Sequence, residues 1–211
     1  MLNARNVKII GIFATIAIFA AWVTILLSMI LNPWFRITSG ALSDLGGGNL
    51  ILNGHPSPTD PWVYNYGLIL TGIFIAAFAA FSIKAVDNKI ENAGLSFFII
   101  SGLFLALIGI YHEGTYPHDF VSIWFFVLSS ISFFTIGISL VFHFRKYGVF
   151  MILFLISAWN VYSLIHWQST AEDEIFGILV IDIVVLSYFM SLRDRLAAGG
   201  KNRKVGLKEN G

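Results

Sequence analysis

Of the 211 residues, 57% are hydrophobic and only 12% are Asp, Glu, Lys or Arg, and the mean hydropathy is +0.79. That balance excludes a water-soluble domain and marks an integral membrane protein. The net charge of +1 hides an acidic outward side and a basic inward side, no nucleic-acid partner is expected, and the absence of cysteine excludes disulfides, thiolate catalysis, Fe–S clusters and Cys-based zinc sites.

The chain opens with Arg5 and Lys8 ahead of a first apolar stretch, Ile9–Leu31. The stretch is longer than the 7–15 residues of a signal-peptide core and has no persuasive small-residue cleavage site, so a retained helix is expected. Five further stretches follow at Trp62–Ile83, Gly94–Tyr111, Val121–Phe144, Tyr147–His166 and Ile175–Ser191. Each approaches the roughly 20 residues that carry a helix across a hydrocarbon core. None alternates apolar and polar residues as a barrel strand does. The expected architecture is all-α, a polytopic six-transmembrane-helix bundle over residues 1–192, followed by a basic tail, 193–211.

Twelve of the thirteen Lys and Arg residues lie at the N-terminus, in the second connection (Lys84, Lys89), in the fourth (Arg145, Lys146) and in the tail from Arg193. By the positive-inside rule the chain is N-in/C-in in the cell membrane, and the other connections face outward. The tail reads as an anchor to anionic inner-leaflet lipid.

The first outward loop, Asn32–Pro61, holds Gly40, Gly46, Gly47, Gly48, Gly54 and four of the five prolines. Loops of that length are uncommon and tend to be functional or disordered. Its apolar residues, Leu42, Leu45, Leu50, Ile51 and Leu52, predict a loop folded back onto the mouth of the bundle. Arg36, the lone outward basic residue, pairs with Asp44, meets a lipid phosphate or snorkels to the interface. On the second span Gly72, Ala76 and Ala80 recur every four residues, and Gly102, Ala106 and Gly109 act similarly on the third, a pattern of close helix approach.

The third connection, Tyr111–Asp119, is the richest in polar chemistry. His112 and Glu113 follow Gly109 by three and four residues and so continue its helix face. With Asp44 and His55 on the same side, His112, His118, Glu113 and Asp44 are candidate ligands for zinc or another divalent cation. The competing reading is a hydrogen-bonded network that closes the mouth. Deeper in the bundle, Asp182 lies about 12 Å below the end of the last span, with Asn160 at similar depth on the fifth. A carboxyl there is a functional-site candidate by default, and a hydrogen bond between the two is expected.

Three segments carry a family resemblance: Ser43-Asp44-Leu45-Gly46, the run Asn65 to Gly72, and Leu107 to Glu113 followed by His118. Together they resemble the prokaryotic membrane proteins grouped as domain of unknown function 998, over about residues 10 to 190. Tyr111-His112 stands where that family's pattern has Phe-Pro. The resemblance implies a six-helix fold and singles out Ser43, Asp44, Asn65, Glu113 and His118. A remoter similarity, to Frag1/DRAM/Sfk1-type proteins, implies a connection with lipid anchors. The leading expectation is recognition of lipid headgroups or lipid anchors at the outer leaflet, using Arg36 and Asn65 beside a polar wall of Asp44, Glu113 and His118. One alternative is a metal-dependent hydrolase or transferase acting on a lipid, with Ser43, Asp44, Glu113 and His118 as candidate catalytic residues. The other is a small-molecule transporter with Asp182 as its proton-coupling site.

Overall fold

A computed structural model describes residues 2–209, with side chains described for 2–199. Six helices run α1 Ala4–Leu31, α2 Pro61–Ala85, α3 Lys89–Ile110, α4 His118–His143, α5 Arg145–Leu164 and α6 Thr170–Glu209. Each contains a stretch long and apolar enough to cross a membrane. Six consecutive spans return the chain to the side where it began. One end of the bundle therefore holds the termini and the other, the loop end, holds the connections after α1, α3 and α5.

The helices outrun the apolar stretches read from the sequence, because polar residues at their ends still close backbone hydrogen bonds and cap the helix. The side chain of Asn3 accepts from the Asn6 amide at 2.8 Å, and that of Asn88 accepts from Glu91 at 3.0 Å. Pro61 opens α2, where its missing N–H costs nothing. The tail residues Lys201, Arg203, Lys204 and Lys208 lie outside the residues whose side chains are described.

Neighbours in sequence pack as neighbours in space, and α6 closes back onto α1 as well as α5. Because lipid tails are as apolar as leucine, contact between such helices gains mainly from close packing. Small residues supply it. A Cβ on Gly72 would overlap the Gly102 carbonyl oxygen, and one on Gly102 would lie 2.7 Å from that of Gly72. At the centre Phe78 meets Phe98 and Tyr188 edge-on, with ring centroids 6.0 and 6.2 Å away, which joins α2, α3 and α6.

Toward the termini end, Glu91 is buried and its Oε1 accepts from Tyr188 Oη at 2.8 Å and from Arg195 Nη1 at 3.0 Å. The Arg195 guanidinium lies over the Phe144 ring, 4.9 Å from its centroid. Read from sequence as part of the tail anchor, Arg195 instead ties α6 to α3.

Candidate functional site

Asn32, the residue after α1, holds both ends of the first loop. Its side-chain amide donates to Thr59 O at 3.2 Å and its carbonyl oxygen accepts from Thr59 N at 2.7 Å. Within that closed loop, a short 3₁₀ turn buries Leu42, Ser43, Asp44 and Leu45 against the bundle. Fixed partners seat it. The Leu42 amide donates to Glu174 Oε2 at 2.7 Å, and Ala171 N donates to Gly40 O at 2.8 Å. The Asn65 side chain donates to Gly46 O at 2.9 Å. Gly47 runs so close to the third connection that a Cβ there would overlap Glu113 O.

The loop is therefore folded back as its composition predicts, through only part of its apolar set. Leu42 and Leu45 are buried, whereas Leu50, Ile51 and Leu52 are 68, 93 and 63% exposed. Leu52 N and Ile51 N both donate to the Asn49 side chain, so a local turn points that segment outward.

Glu113 is the hub. Its Oε2 accepts from Ser43 Oγ at 3.0 Å and lies 3.0 Å from His118 Nε2, while Oε1 accepts from the Asn53 side chain at 3.1 Å. The Nδ1 of His118 faces the Tyr111 carbonyl at 2.7 Å. A carbonyl only accepts, so Nδ1 carries a proton, and an Nε2 aimed at a carboxylate needs another. An imidazolium–carboxylate pair satisfies both. The His118 hydrogen bond, above all, holds the Glu113 carboxyl down at about 2, with Asn53 and Ser43 adding to it against the opposing effect of burial.

A second His–carboxylate contact lies alongside. Asp44 Oδ1 is 3.1 Å from His55 Nε2, and the His55 ring stacks on Trp34 at 4.7 Å. Asp44 also accepts from the Ala41 amide at 2.8 Å. Sequence reasoning placed His55 on this side of the membrane and did not find its partner. The contact spans eleven positions of irregular loop, where no periodicity operates.

Beneath this loop, which plugs the mouth, runs a narrow chamber of about 80 Å³ among α1, α2, α3, α4 and α6. Its walls are apolar, from residues such as Ala14, Leu68, Phe98 and Leu105, and its polar groups are Ser43, Tyr64, Thr71, Ser122, Glu174 and Asp182. Among the described residues it is lined by no Lys, Arg or His.

The structure redistributes the expected site residues. Ser43, Glu113 and His118 meet. Asp44 stands one pair away, with His55. Asn65 clamps the loop backbone. Arg36 is turned onto its own chain, donating to Pro33 O at 2.6 Å and Phe35 O at 2.9 Å, and away from Asp44. His112 leaves the expected ligand set because α3 stops at Ile110. The helical face does not extend to it, and its exposed ring faces Glu113 O at 3.0 Å. Asp119, at the start of α4, replaces it: one ligand atom each from Glu113, His118 and Asp119 lie within 4.8 Å of one another.

The expected Asp182–Asn160 bond is not formed. Asp182 Oδ2 accepts from Trp22 Nε1 at 2.8 Å, tying α6 to α1. Asn160 is exposed and donates to Ile156 O within its own helix at 2.7 Å. The direction each helix faces was not legible in the sequence.

Ser43 bonds the carboxylate and leaves the imidazole alone, so the order nucleophile, base, orienting acid of a serine hydrolase is not assembled. What the arrangement does offer is a buried polar roof over an apolar chamber with hydrogen-bond acceptors along it. Comparison with known families finds one whose description is protein of unknown function (DUF998), matching residues 15–190. No curated protein and no solved structure matches the chain.

Proposed function

The chain belongs to the DUF998 family, and from its geometry we propose that it is a lipid-binding protein of the membrane, holding the tail of a lipid or lipid anchor in the apolar space between its helices. The headgroup would rest beneath the loop, against Ser43, Tyr64 and Glu174. The single observation that carries this reading is the chamber itself: apolar walls, with Ser43, Tyr64, Ser122 and Glu174 at the end the loop covers, match an amphiphile. Glu113 and His118 act one layer back, by holding Ser43 and the plug in place. The charge distribution supports an orientation with the loop end outward and both termini inward, in which the headgroup would lie at the outer leaflet.

Mild-detergent purification followed by native mass spectrometry tests this. The expected result is one tightly held lipid per chain in the wild type and its loss in Thr71→Trp, which fills the chamber. A wild-type protein carrying only a loose, heterogeneous annulus overturns the reading.

A second reading rests on the convergence of Glu113, His118 and Asp119. A divalent cation there would replace the proton between His118 Nε2 and Glu113 and could lower the pKa of a bound water for attack on a lipid ester or amide. Elemental analysis decides it. Stoichiometric zinc or another transition metal that disappears in His118→Ala supports a metal enzyme, and less than a tenth of an equivalent removes the option.

A further inference from the structure

We infer that the lipid reaches the chamber sideways from the bilayer, through a groove between α4, α5 and α6 closed by Phe126, and that its headgroup is a hydrogen-bond donor. This rests on the lipid-binding reading above and adds a route and a headgroup class.

The buried 3₁₀ turn Leu42–Leu45 covers the loop end of the chamber, which leaves the side as the route that needs no unfolding of the loop. The groove encloses about 460 Å³. Its floor is buried, at Phe133, Leu155, Ala158 and Val184, while Ile123, Trp159 and Tyr162 on its rim are 61, 42 and 44% exposed. These rim residues belong to spans α4 and α5, so the opening faces the hydrocarbon.

Groove and chamber share four lining residues, Ser122, Phe126, Glu174 and Ile181. Those side chains are the partition between the two spaces. Phe126 is the movable one. Its ring rests on Gly177, where an added Cβ would lie 2.6 Å from Cε1. Glycine on α6 makes a seat for the ring, and Phe126 is only half-buried. Turning that one side chain about its staggered χ1 positions joins the two cavities without moving a helix.

Hydrogen-bonding complementarity decides the headgroup. At the loop end the groove is lined by Thr170, Asp173, Glu174 and Ser122, and Glu174 also lines the chamber. Two carboxylates therefore stand along the route, and no Lys, Arg or His among the described residues lines either cavity. An amine- or hydroxyl-bearing headgroup finds acceptors at every step. A headgroup without donors finds none of these bonds and leaves buried acceptors unpaired.

The test uses the full chain in nanodiscs and follows replacement of bound lipid by chain-deuterated lipid, read by native mass spectrometry. Phe126→Ala is expected to speed exchange at least tenfold. Ala158→Cys creates the sole thiol, and its alkylation with a bulky maleimide is expected to slow exchange at least tenfold. In discs of equal phosphatidylethanolamine and phosphatidylcholine, unmodified protein is expected to retain the ethanolamine lipid at least fivefold over the choline lipid. Lipid bound in the chamber with wild-type exchange in both variants overturns the side route and leaves lipid binding standing. Equal retention of the two lipids overturns the headgroup class. Protein that holds no lipid in any arm overturns both this inference and the function it rests on.

Discussion

Glu113 shows how one side chain can hold together three stretches of chain. Its carboxyl lies at about 2 in the folded protein against an ordinary value of 4.5. A depressed carboxyl contributes stability that is fully present above the ordinary value and is lost as the pH falls from about 4.5 toward about 2. Acidification through that window is expected to release the loop, measurable as new proteolytic cleavage between residues 48 and 56. Glu113→Gln should be cleaved there already at pH 7 and show a flatter acid profile. An unchanged cleavage pattern in that variant would deny Glu113 its role as hub. Asp182 is a different case, because its partner is one indole N–H. Asp182→Asn keeps an acceptor for Trp22 and is expected to leave thermal stability unchanged. Asp182→Leu strands the donor and should cost about 1 kcal/mol, within the range measured for such bonds between membrane helices. If Asp182→Asn keeps its stability but loses biological activity, proton exchange at this carboxyl becomes the better account.

At the scale of elements, two contacts hold the bundle by opposite means. The α2–α3 pair relies on the absence of side chains. Gly72→Val is expected to destabilise the fold by about 1–3 kcal/mol or more, since the added atoms meet backbone and cannot be moved aside. A thermal shift in detergent measures it, and a wild-type midpoint would show that the two helices do not pack at that register. The α3–α6 pair relies on charge: Glu91 and Arg195 are 2 and 13% exposed. Glu91→Ala, which leaves the guanidinium buried without its partner, should cost about 3–5 kcal/mol. The double variant Glu91→Leu, Arg195→Met should recover most of that loss. These contacts also mark what a sequence discloses. The glycine contact was legible, because the spacing Gly72, Ala76, Ala80 is a local pattern with a single physical purpose. The ion pair was not, because 104 positions separate its partners and Arg195 lies among tail charges that already had an explanation. The loop divides in the same way. Its buried Ser43-Asp44-Leu45-Gly46 carried the family resemblance, whereas Leu50, Ile51 and Leu52 looked equally apolar and face outward. Hydropathy records what a residue tolerates, and not the turn at Asn49 that aims it.

For the whole molecule, length and apolarity were enough to count the spans, because a bilayer prescribes both. They do not say which way the bundle faces. The proposed orientation is tested by single cysteines in a chain that has none of its own. A cysteine replacing Ser57 should react with an impermeant thiol reagent in intact cells, and one replacing Asn202 only after permeabilisation. The reverse pattern would invert the topology and move the proposed headgroup site to the other leaflet.

A mouth that faces hydrocarbon also changes the unit in which occupancy is counted. A ligand arriving through water fills its site according to its molar concentration, and dilution empties it. Through the groove between α4, α5 and α6, the relevant quantity is the fraction of membrane molecules that are of the right kind. Diluting a membrane suspension a thousandfold in buffer leaves that fraction, and hence the occupied share of the protein, where it was. Changing the membrane's composition by a few per cent does not. A protein so built responds to what its bilayer is made of and is indifferent to how much of that bilayer there is.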